Sequence, residues 1–211
     1  TRALPGIPQG TRLHYNDLAP AITALGLHPM AAEPCLFMHN TKNIITSLHV
    51  DDGILAVETE AQAAQFFSKL QTPTRKLTRG PLTRTLGIDF TVRYTPTHRQ
   101  VTMSQKRFAV SILEQAQMTD CNQKPTPAHH NHRYTKEDSP AQGASVNTTM
   151  PKSMYHTLVT SLNYLTQVTR KDLTLIQGKL AKFISSPGAQ HIEALKHALK
   201  FLKGTLDYGP V

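Results

Sequence analysis

The chain has 211 residues, a formal net charge of +9 and two cysteines, and it is long enough for one large or two small domains. Cys35 and Cys121 lie far apart and outside any C-x2-C spacing, so the sequence supports neither a disulfide framework nor a zinc site. No run of about 18 apolar residues occurs and the first residues lack the pattern of a secretory signal, so we expect no membrane partner and an intracellular location, cytoplasmic or nuclear.

The first predicted elements are one helix and three strands. The loop TRALPGIPQG is followed by polar and apolar residues at helical spacing, which predicts a helix over residues 11–27 that ends near Gly26. The segments CLFMHN, IITSLHV and GILAV are rich in apolar and β-branched residues and predict three strands. Together the strands predict an antiparallel sheet.

Two adjacent aspartates, Asp51 and Asp52, lie between the second and third of these strands and are followed by a glycine. Asp-Gly between apolar runs is a common hairpin signal, and on that interpretation the aspartates are only turn residues. Alternatively, two carboxylates on a stiff hairpin form half of a site for Mg²⁺, which prefers oxygen ligands. The local pattern alone is compatible with both.

A second helix and a second hairpin complete the first half of the chain. Thr59 opens T-E-A-Q, a capping-box pattern, which predicts a helix through about Leu70 with Phe67 and Leu70 facing inward. The segments LGIDFTVRY and QVTMS predict a hairpin that turns at Pro96–His98.

The second half of the chain predicts helices. Ser104 is the expected N-cap of the first one, and residues 119–150, rich in Pro, His, Asn, Thr and Ser, predict a linker or a mobile flap. Three further helices repeat an apolar spacing of 3, 4 and 3, which predicts a small bundle, with Pro187 in the first turn of the last helix and Gly204 at its end. The apolar positions of the three helices are Tyr155, Leu158, Leu162 and Leu165; Leu173, Ile176, Leu180 and Phe183; and Ile192, Leu195, Leu199 and Leu202.

The positive charge is concentrated in the second half. Residues 98–211 carry 14 Lys and Arg against 7 Asp and Glu, whereas residues 1–97 carry 9 against 7. This imbalance favours contact with a phosphate backbone, and Lys196, Lys200 and Lys203 lie opposite the apolar positions of the last helix. A solvated helix face explains the three lysines equally well.

A histidine cluster, His129, His130 and His132, lies within the long polar segment. Such a cluster can bind a metal ion, but no acidic or thiolate partner is close in sequence, and a polar flap is the alternative. Ser104 and the two cysteines have no triad-like setting, which argues against a hydrolase.

Several segments, taken in chain order, resemble the reverse transcriptases of copia-type LTR retrotransposons. HVDDGILAV resembles the x-V-D-D hairpin of these enzymes, and LPGIPQGTRLHY resembles their L-Y-G-L-K-Q-x-P-R-x-W-Y segment. LGIDF and VTMSQKRFAVSILEQAQMTDC resemble the closing hairpin of the palm and the first thumb helix. YHTLVTSLNYLTQVTRKDL and SSPGAQHIEALKHALKFLKGTLDYG resemble two later family segments.

The resemblance implies an α+β fold. Residues 1–103 would form part of a reverse-transcriptase palm, an antiparallel sheet with helices on one face. Residues 104–211 would form a helical thumb bundle, with a long loop or linker at 119–150.

The resemblance also implies roles for individual residues. The catalytic and Mg²⁺-binding residues would be Asp51 and Asp52, with Asp51 as the main ligand. The residues near the template base or the nucleotide would be Gln9, Gly10 and Arg12. The contacts to the nucleic-acid backbone of a template–primer duplex would be Lys106, Arg107, Lys196, Lys200 and Lys203.

The sequence also departs from the family pattern. His49 replaces the usual Tyr before V-D-D, and the third catalytic Asp, the fingers and the RNase H domain are expected outside this sequence. We therefore expect a fragment of an RNA-directed DNA polymerase that binds Mg²⁺ weakly or not at all by itself and is not catalytically competent alone. The alternative is a domesticated, non-catalytic protein that binds nucleic acid or self-associates as a homodimer through an exposed sheet edge.

Overall fold

The computed structural model describes residues 10–50, 52–73, 75–130, 133–140 and 150–210. The chain forms two compact units, Thr1–Leu82 and Thr83–Val211. The division of the chain into palm and thumb at residue 103 stays a prediction.

The first unit contains two helices and one antiparallel sheet with the strand order β1-β2-β3-β4. Its elements are α1 (Gly10–Thr23), β1 (Leu27–Pro29), β2 (Leu36–His39), β3 (Ile45–His49), β4 (Asp52–Ala56) and α2 (Glu60–Leu70). The three strands predicted from sequence are confirmed, and β1 is an additional short strand.

One face of this sheet is buried under the two helices. Leu27 and Phe37 of the sheet pack in one cluster with Leu18 and Ile22 of α1 and with Phe66 of α2. Because side chains alternate along a strand, the opposite face carries the more exposed residues. On that face, one row of exposed residues pairs across the four strands: His28, Met38, Ile45 and Ala56.

The helix boundaries in this unit follow local signals with small differences. Thr59 caps α2 in the predicted capping box, with its hydroxyl accepting a hydrogen bond from the Gln62 N–H. Phe66, rather than the predicted Phe67, is the buried aromatic residue of α2. The first helix ends at Thr23, before the predicted end near Gly26, whose φ of 87° is a conformation that glycine adopts readily.

The second unit combines a three-stranded antiparallel sheet with four helices. Its elements are β5 (Arg84–Thr85), β6 (Ile88–Tyr94), β7 (Arg99–Ser104), α3 (Lys106–Gln115), α4 (Lys152–Val168), α5 (Thr174–Ala181) and α6 (Ala189–Gly204), with short 3₁₀ turns at Lys136–Asp138 and Lys171–Leu173. The predicted β6–β7 hairpin is confirmed.

All the apolar positions predicted for the last three helices are buried. Tyr155 of α4 is fully buried and its hydroxyl donates to the Leu180 carbonyl at 3.0 Å, which ties α4 to α5. The helical spacing of these residues therefore identified the core of the bundle correctly.

Two helix starts differ from the predictions. Gln105 occupies the N-cap position of α3, and the predicted cap Ser104 instead accepts from the Lys106 N–H through its hydroxyl. Pro187 precedes the N-cap Gly188 of α6 and is not in the first turn, whereas Gly204 ends the helix as predicted.

The polar segment before α4 lies against α6 in its described parts. The Thr126 carbonyl oxygen is 3.0 Å from His197 Nε2, and the Cys121 carbonyl accepts from Lys203 Nζ at 2.9 Å. The start and end of the second unit also meet, since the Met103 N–H donates to the Pro210 carbonyl at 3.1 Å and Lys106 pairs with Asp207 at 2.7 Å.

The mixture of helices and antiparallel sheets confirms the α+β class. Of the helices that the structure describes, none is both long and apolar enough to cross a membrane.

Candidate active-site hairpin

Strands β3 and β4 form a regular hairpin with a two-residue connection. Their five residue pairs run from Ile45 opposite Ala56 to His49 opposite Asp52, and two positions of the sequence separate these last partners. Val50 has a φ of 52°, in the left-handed region. This conformation is rare for a β-branched residue, and such outliers are concentrated at functional sites.

Asp52 is the first residue of β4 and pairs with His49, so the interpretation of Asp52 as a turn residue is wrong. Gly53 pairs with Leu48, and a Cβ added to it would lie 3.1 Å from the Ser47 carbonyl oxygen. The glycine therefore permits a close approach of the two strands and does not make the turn. Asp51 lies outside the described residues.

Asp52 lies on the open face of the sheet. Leu48 and Leu55 point to the buried face of the sheet and pack against its cluster. Asp52 and His49 point to the opposite face and are exposed. The packing of Leu48 and Leu55 holds the two strands of the hairpin against the core. A carboxylate at the tip is therefore presented to solvent by a stiff support.

This donor set does not complete a Mg²⁺ site. Among the described residues no group of three or more His, Cys, Asp and Glu side chains is placed to hold a metal ion. The described donors at the tip are the Asp52 carboxylate and the His49 imidazole, whereas Mg²⁺ prefers six oxygen ligands in near-octahedral geometry.

The predicted histidine cluster is not a metal group in its described part. His129 instead contacts the ring of His197, with the ring centroids 4.0 Å apart. His132 lies outside the described residues.

The residues predicted near the template or the nucleotide are only partly described. Gly10 is the first residue of α1 and is half-buried, and Arg12 is exposed on the same helix. Gln9 lies outside the described residues.

The five predicted backbone contacts lie in the second unit, and among the residues that the structure describes there four of their cationic groups have partners. Lys106 pairs with Asp207, and Arg107 lies 3.5 Å from Asp89. The other three predicted contacts are lysines of α6, and each of them is half-buried. Lys196 pairs with Glu193 at 2.8 Å, Lys203 donates to Cys121, and Lys200 accepts a hydrogen bond from the Lys124 N–H at its carbonyl.

Arg170 is a buried charge that the sequence analysis did not single out. Its side chain is 3% exposed and pairs with both oxygens of Asp172, at 3.0 and 2.7 Å. It also donates to the carbonyl and the hydroxyl of Thr205, and its guanidinium lies 5.7 Å from the ring centroids of Phe201 and Tyr208. The signal in the sequence was an Arg two residues before an Asp at the junction of two helices.

Comparison with known proteins identifies the family of the chain. Residues 1–130 match the family described as reverse transcriptase (RNA-dependent DNA polymerase). The chain belongs to this reverse transcriptase family. No solved structure matches it.

Curated relatives confirm the resemblance to copia-type retrotransposons. The chain is 25% identical over 97% of its length to the retrovirus-related Pol polyprotein from transposon TNT 1-94 of Nicotiana tabacum. It is 25% and 26% identical, over 99% of its length, to the retrovirus-related Pol polyproteins from transposons RE1 and RE2 of Arabidopsis thaliana. The matches cover 15% of the first relative and 14% of each of the other two.

Proposed function

We propose that this reverse transcriptase chain is a palm-and-thumb fragment whose Asp51–Asp52 hairpin contributes metal-binding carboxylates to RNA-directed DNA synthesis. The observation that carries this proposal is the hairpin itself: Asp52 stands on the open face of a supported strand pair, next to a connection in which Val50 has a positive φ.

A sheet with helices on one face, followed by a helical bundle, supports a palm followed by a thumb, and strands β5 to β7 belong to the same compact unit as the bundle. The first unit has an antiparallel sheet whose helices pack on one face, which leaves the face with Asp52 open. The helices α4, α5 and α6 form a bundle from three buried rows of side chains. On this proposal residues 1–103 belong to the palm and residues 104–211 to the thumb.

The chemistry needs positioned negative charge more than it needs a reactive side chain. In phosphoryl transfer a protein mostly orients the reacting groups and holds the divalent ions that neutralise the developing charge. The part played by this chain is to hold Asp52 on a stiff strand beside the bend at Val50. Asp51 is the proposed main ligand, and Asp52 adds charge and fixes the geometry.

Mn²⁺ binding followed by NMR tests the hairpin. We expect Mn²⁺ to broaden the amide signals of residues 48–53 in the 211-residue chain, and we expect Asp51→Asn combined with Asp52→Asn to abolish the broadening. The matched control is Asp120→Asn, which removes an exposed aspartate elsewhere. Broadening that persists in the double variant contradicts the proposal.

The isolated chain is proposed to be inactive as a polymerase. Loss of one member of a catalytic unit removes most of the rate, and the described residues offer no complete metal group. We expect no primer extension on an RNA template with Mg²⁺ or Mn²⁺. Extension that disappears in Asp51→Ala would overturn this expectation.

A second candidate function is non-catalytic nucleic-acid binding. The observation that favours it is the excess of 14 Lys and Arg over 7 Asp and Glu in residues 98–211. The proposed backbone contacts are Lys106, Arg107, Lys196, Lys200 and Lys203, and Gln9, Gly10 and Arg12 are proposed near the template or nucleotide. Duplex binding without Mn²⁺ binding at the hairpin is the result that favours this candidate.

A further inference from the structure

A cavity of about 470 Å³ lies in the second unit, between the polar segment that precedes α4 and the first two turns of α6. The polar segment lines it with the rings of His129, His130 and Tyr134, and α6 lines it with Ala189, Gln190 and Glu193. Sites for small ligands have volumes in this range, so the cavity is large enough for a nucleoside.

Two of the three rings pack against buried histidines of α6. The ring centroids of His129 and His197 lie 4.0 Å apart. Those of Tyr134 and His191 lie 6.0 Å apart, and the ring of His191 is stacked on Phe183. The aromatic wall of the cavity is therefore held in position in the free chain, which lowers the cost of binding a ligand.

Glu193 supplies a hydrogen-bond acceptor beside these rings. Its Oε1 accepts from Lys196 Nζ at 2.8 Å, and each carboxylate oxygen has two lone pairs, so the group can accept further bonds. Gln190, one turn earlier on α6, adds an amide that both donates and accepts. Flat rings beside a carboxylate suit a flat heterocycle with N–H donors and disfavour an anion.

We propose that this cavity binds the base of an unpaired guanine in single-stranded nucleic acid. Unpaired bases are recognised by stacking on aromatic side chains, including histidine, and by hydrogen bonds to their edges. Guanine presents two adjacent donors, N1–H and the 2-amino group, which match the two oxygens of the Glu193 carboxylate. Adenine and cytosine present one amino group beside a ring-nitrogen acceptor, and uracil presents one N–H between two carbonyl groups.

The charges near the cavity favour a strand over a free nucleotide. Lys196 pairs with Glu193, and Lys200 lies one turn further along α6. The Lys200 carbonyl accepts from the Lys124 N–H at 3.4 Å, which brings a third lysine to this surface. Such cations can contact the phosphates that flank a bound base. The choice of a strand rests on the nucleic-acid binding proposed above, whereas the fit of guanine to the cavity does not.

Titration of the 211-residue chain with guanosine 5′-monophosphate, followed by NMR, tests the inference. We expect shifts in the ring signals of His129 and His130 and in the amide signals of residues 189–194. The adenosine, cytidine and uridine monophosphates should bind roughly tenfold or more weakly, because they lack the two-point contact with Glu193. A five-nucleotide RNA with one central guanine among uridines should bind more tightly than the monophosphate, because its phosphates reach the lysines.

Two variants and a control identify the contacts. Glu193→Gln should weaken guanine binding by roughly tenfold or more, although it makes the chain more positive and would strengthen contacts that depend on charge alone. Glu114→Gln makes the same charge change at an exposed position of α3 and is the matched control. Ala189→Leu fills the cavity from an exposed position, so it should block guanine binding without disturbing the core.

The outcomes separate this inference from the proposed function. If the four monophosphates shift these signals equally, or if Glu193→Gln binds guanine as the parent does, the inference is wrong. Equal affinity for guanosine monophosphate and for the five-nucleotide RNA contradicts the choice of a strand. Salt-dependent duplex binding without binding of any monophosphate leaves the proposed nucleic-acid binding intact, and only this inference fails. Binding of guanosine monophosphate without duplex binding supports the guanine cavity and contradicts the proposed nucleic-acid binding.

Discussion

Val50 has a β-branched side chain and a backbone conformation that is unfavourable for such side chains. Its φ is 52°, in the left-handed region. This conformation costs a residue other than glycine about 1–2 kcal/mol of free energy. Asparagine tolerates this region better, because its short polar side chain bonds locally. We expect Val50→Asn to raise the free energy of unfolding by about 1 kcal/mol, measured by urea denaturation with far-UV circular dichroism.

Val101→Asn is the matched control for this prediction. Val101 is exposed on β7, where a β-branched residue suits the strand, so the same substitution should destabilise by up to about 1 kcal/mol. If both variants lower stability, Val50 is not strained in solution.

The turn residues show how far the sequence predicts the site. The hairpin itself was predictable, because its apolar runs are separated by a polar turn signal. The interpretation of Asp51 and Asp52 as turn residues depended on Asp-Gly, which is the statistically preferred pair. The register is instead fixed by burial of Thr46 and by the packing of Leu48 and Leu55, and burial depends on residues distant in the chain.

At the scale of the elements, Arg170 joins the end of α4 to the end of α6. Arg170 is buried but the Asp172 side chain is 35% exposed, so loss of the cation leaves a carboxylate that water can reach and removes mainly the buried hydrogen bonds to Thr205, at a cost of about 1–3 kcal/mol. We expect Arg170→Ala to destabilise the chain by that amount, and Arg170→Lys to restore only part, since an ammonium cannot reproduce the forked contacts with Asp172.

Thermal and urea unfolding check this prediction. The control is Lys171→Ala at the neighbouring exposed position, which should change stability by less than about 0.5 kcal/mol. A change in Arg170→Ala as small as that of the control contradicts a role for Arg170 in joining the helices.

His197 on α6 should make the stability of the chain depend on pH. Burial is the main cause that lowers its pKa; the neighbouring His129 and the cations of Lys124 and Lys200 lower it further, and the bond to the Thr126 carbonyl acts in the opposite direction. The folded state therefore favours neutral His197. Its contribution to stability is present above the unfolded pKa of about 6.5 and is lost as the pH falls through the lower folded value.

Unfolding experiments between about pH 5 and pH 8 measure this effect. We expect stability to fall on acidification in the parent chain, and His197→Gln should reduce that dependence. His156→Gln, at an exposed position of α4, is the control and should leave it unchanged. An identical pH profile for His197→Gln and the parent would contradict the prediction.

The helices also show why some features could not be predicted. The buried rows of α4, α5 and α6 were readable because helical periodicity is local. The half-buried state of Lys200 and Lys203 could not be predicted, because residues near Cys121 and Lys124 pack against α6 at these positions. Contacts between residues about 70 to 80 positions apart leave no local pattern.

At the scale of the whole molecule, the excess positive charge predicts nucleic-acid binding with little sequence preference. If about 3–5 phosphates are contacted, the affinity for duplex should fall about as the third to fourth power of the salt concentration. A hybrid or A-form duplex should bind modestly better than B-form DNA, through its wide minor groove and 2′-hydroxyls. Fluorescence anisotropy over a range of salt concentrations measures both effects.

Two triple variants locate this binding. Replacing Lys196, Lys200 and Lys203 with Glu should weaken binding to all sequences and flatten the salt dependence. The same charge change at a second set of lysines around α5 shows whether binding depends on the α6 surface or only on the net charge of the chain. This second set is Lys171, Lys179 and Lys182. If the first triple variant binds as the parent does, the α6 lysines are not the contact surface.

The sheet of the first unit offers an edge for self-association. In the described part of the chain β1 and β4 are the two edge strands, and β4 pairs with β3 on one side. Exposed strand edges pair with other chains, so we expect a dimer at micromolar concentrations. Light scattering measures it, and Ala56→Lys should favour the monomer by placing a charge on β4. Only monomer in the parent at high concentration contradicts the prediction.

The β6–β7 hairpin illustrates what the sequence could not indicate about the whole molecule. Local patterns predicted the hairpin and the helix that follows it. They did not predict that the hairpin belongs to a compact unit that starts at Thr83, which depends on contacts such as the bond from the Met103 N–H to the Pro210 carbonyl.

The closure of the second unit upon itself has a consequence for how the chain is made. Met103, Lys106 and Arg170 all find partners between residues 205 and 210. During synthesis from the N-terminus these contacts cannot form until the last of those residues has left the ribosome. Until then the apolar helices of the second unit stay incompletely packed, and their exposed apolar surface makes this unit prone to aggregation during synthesis.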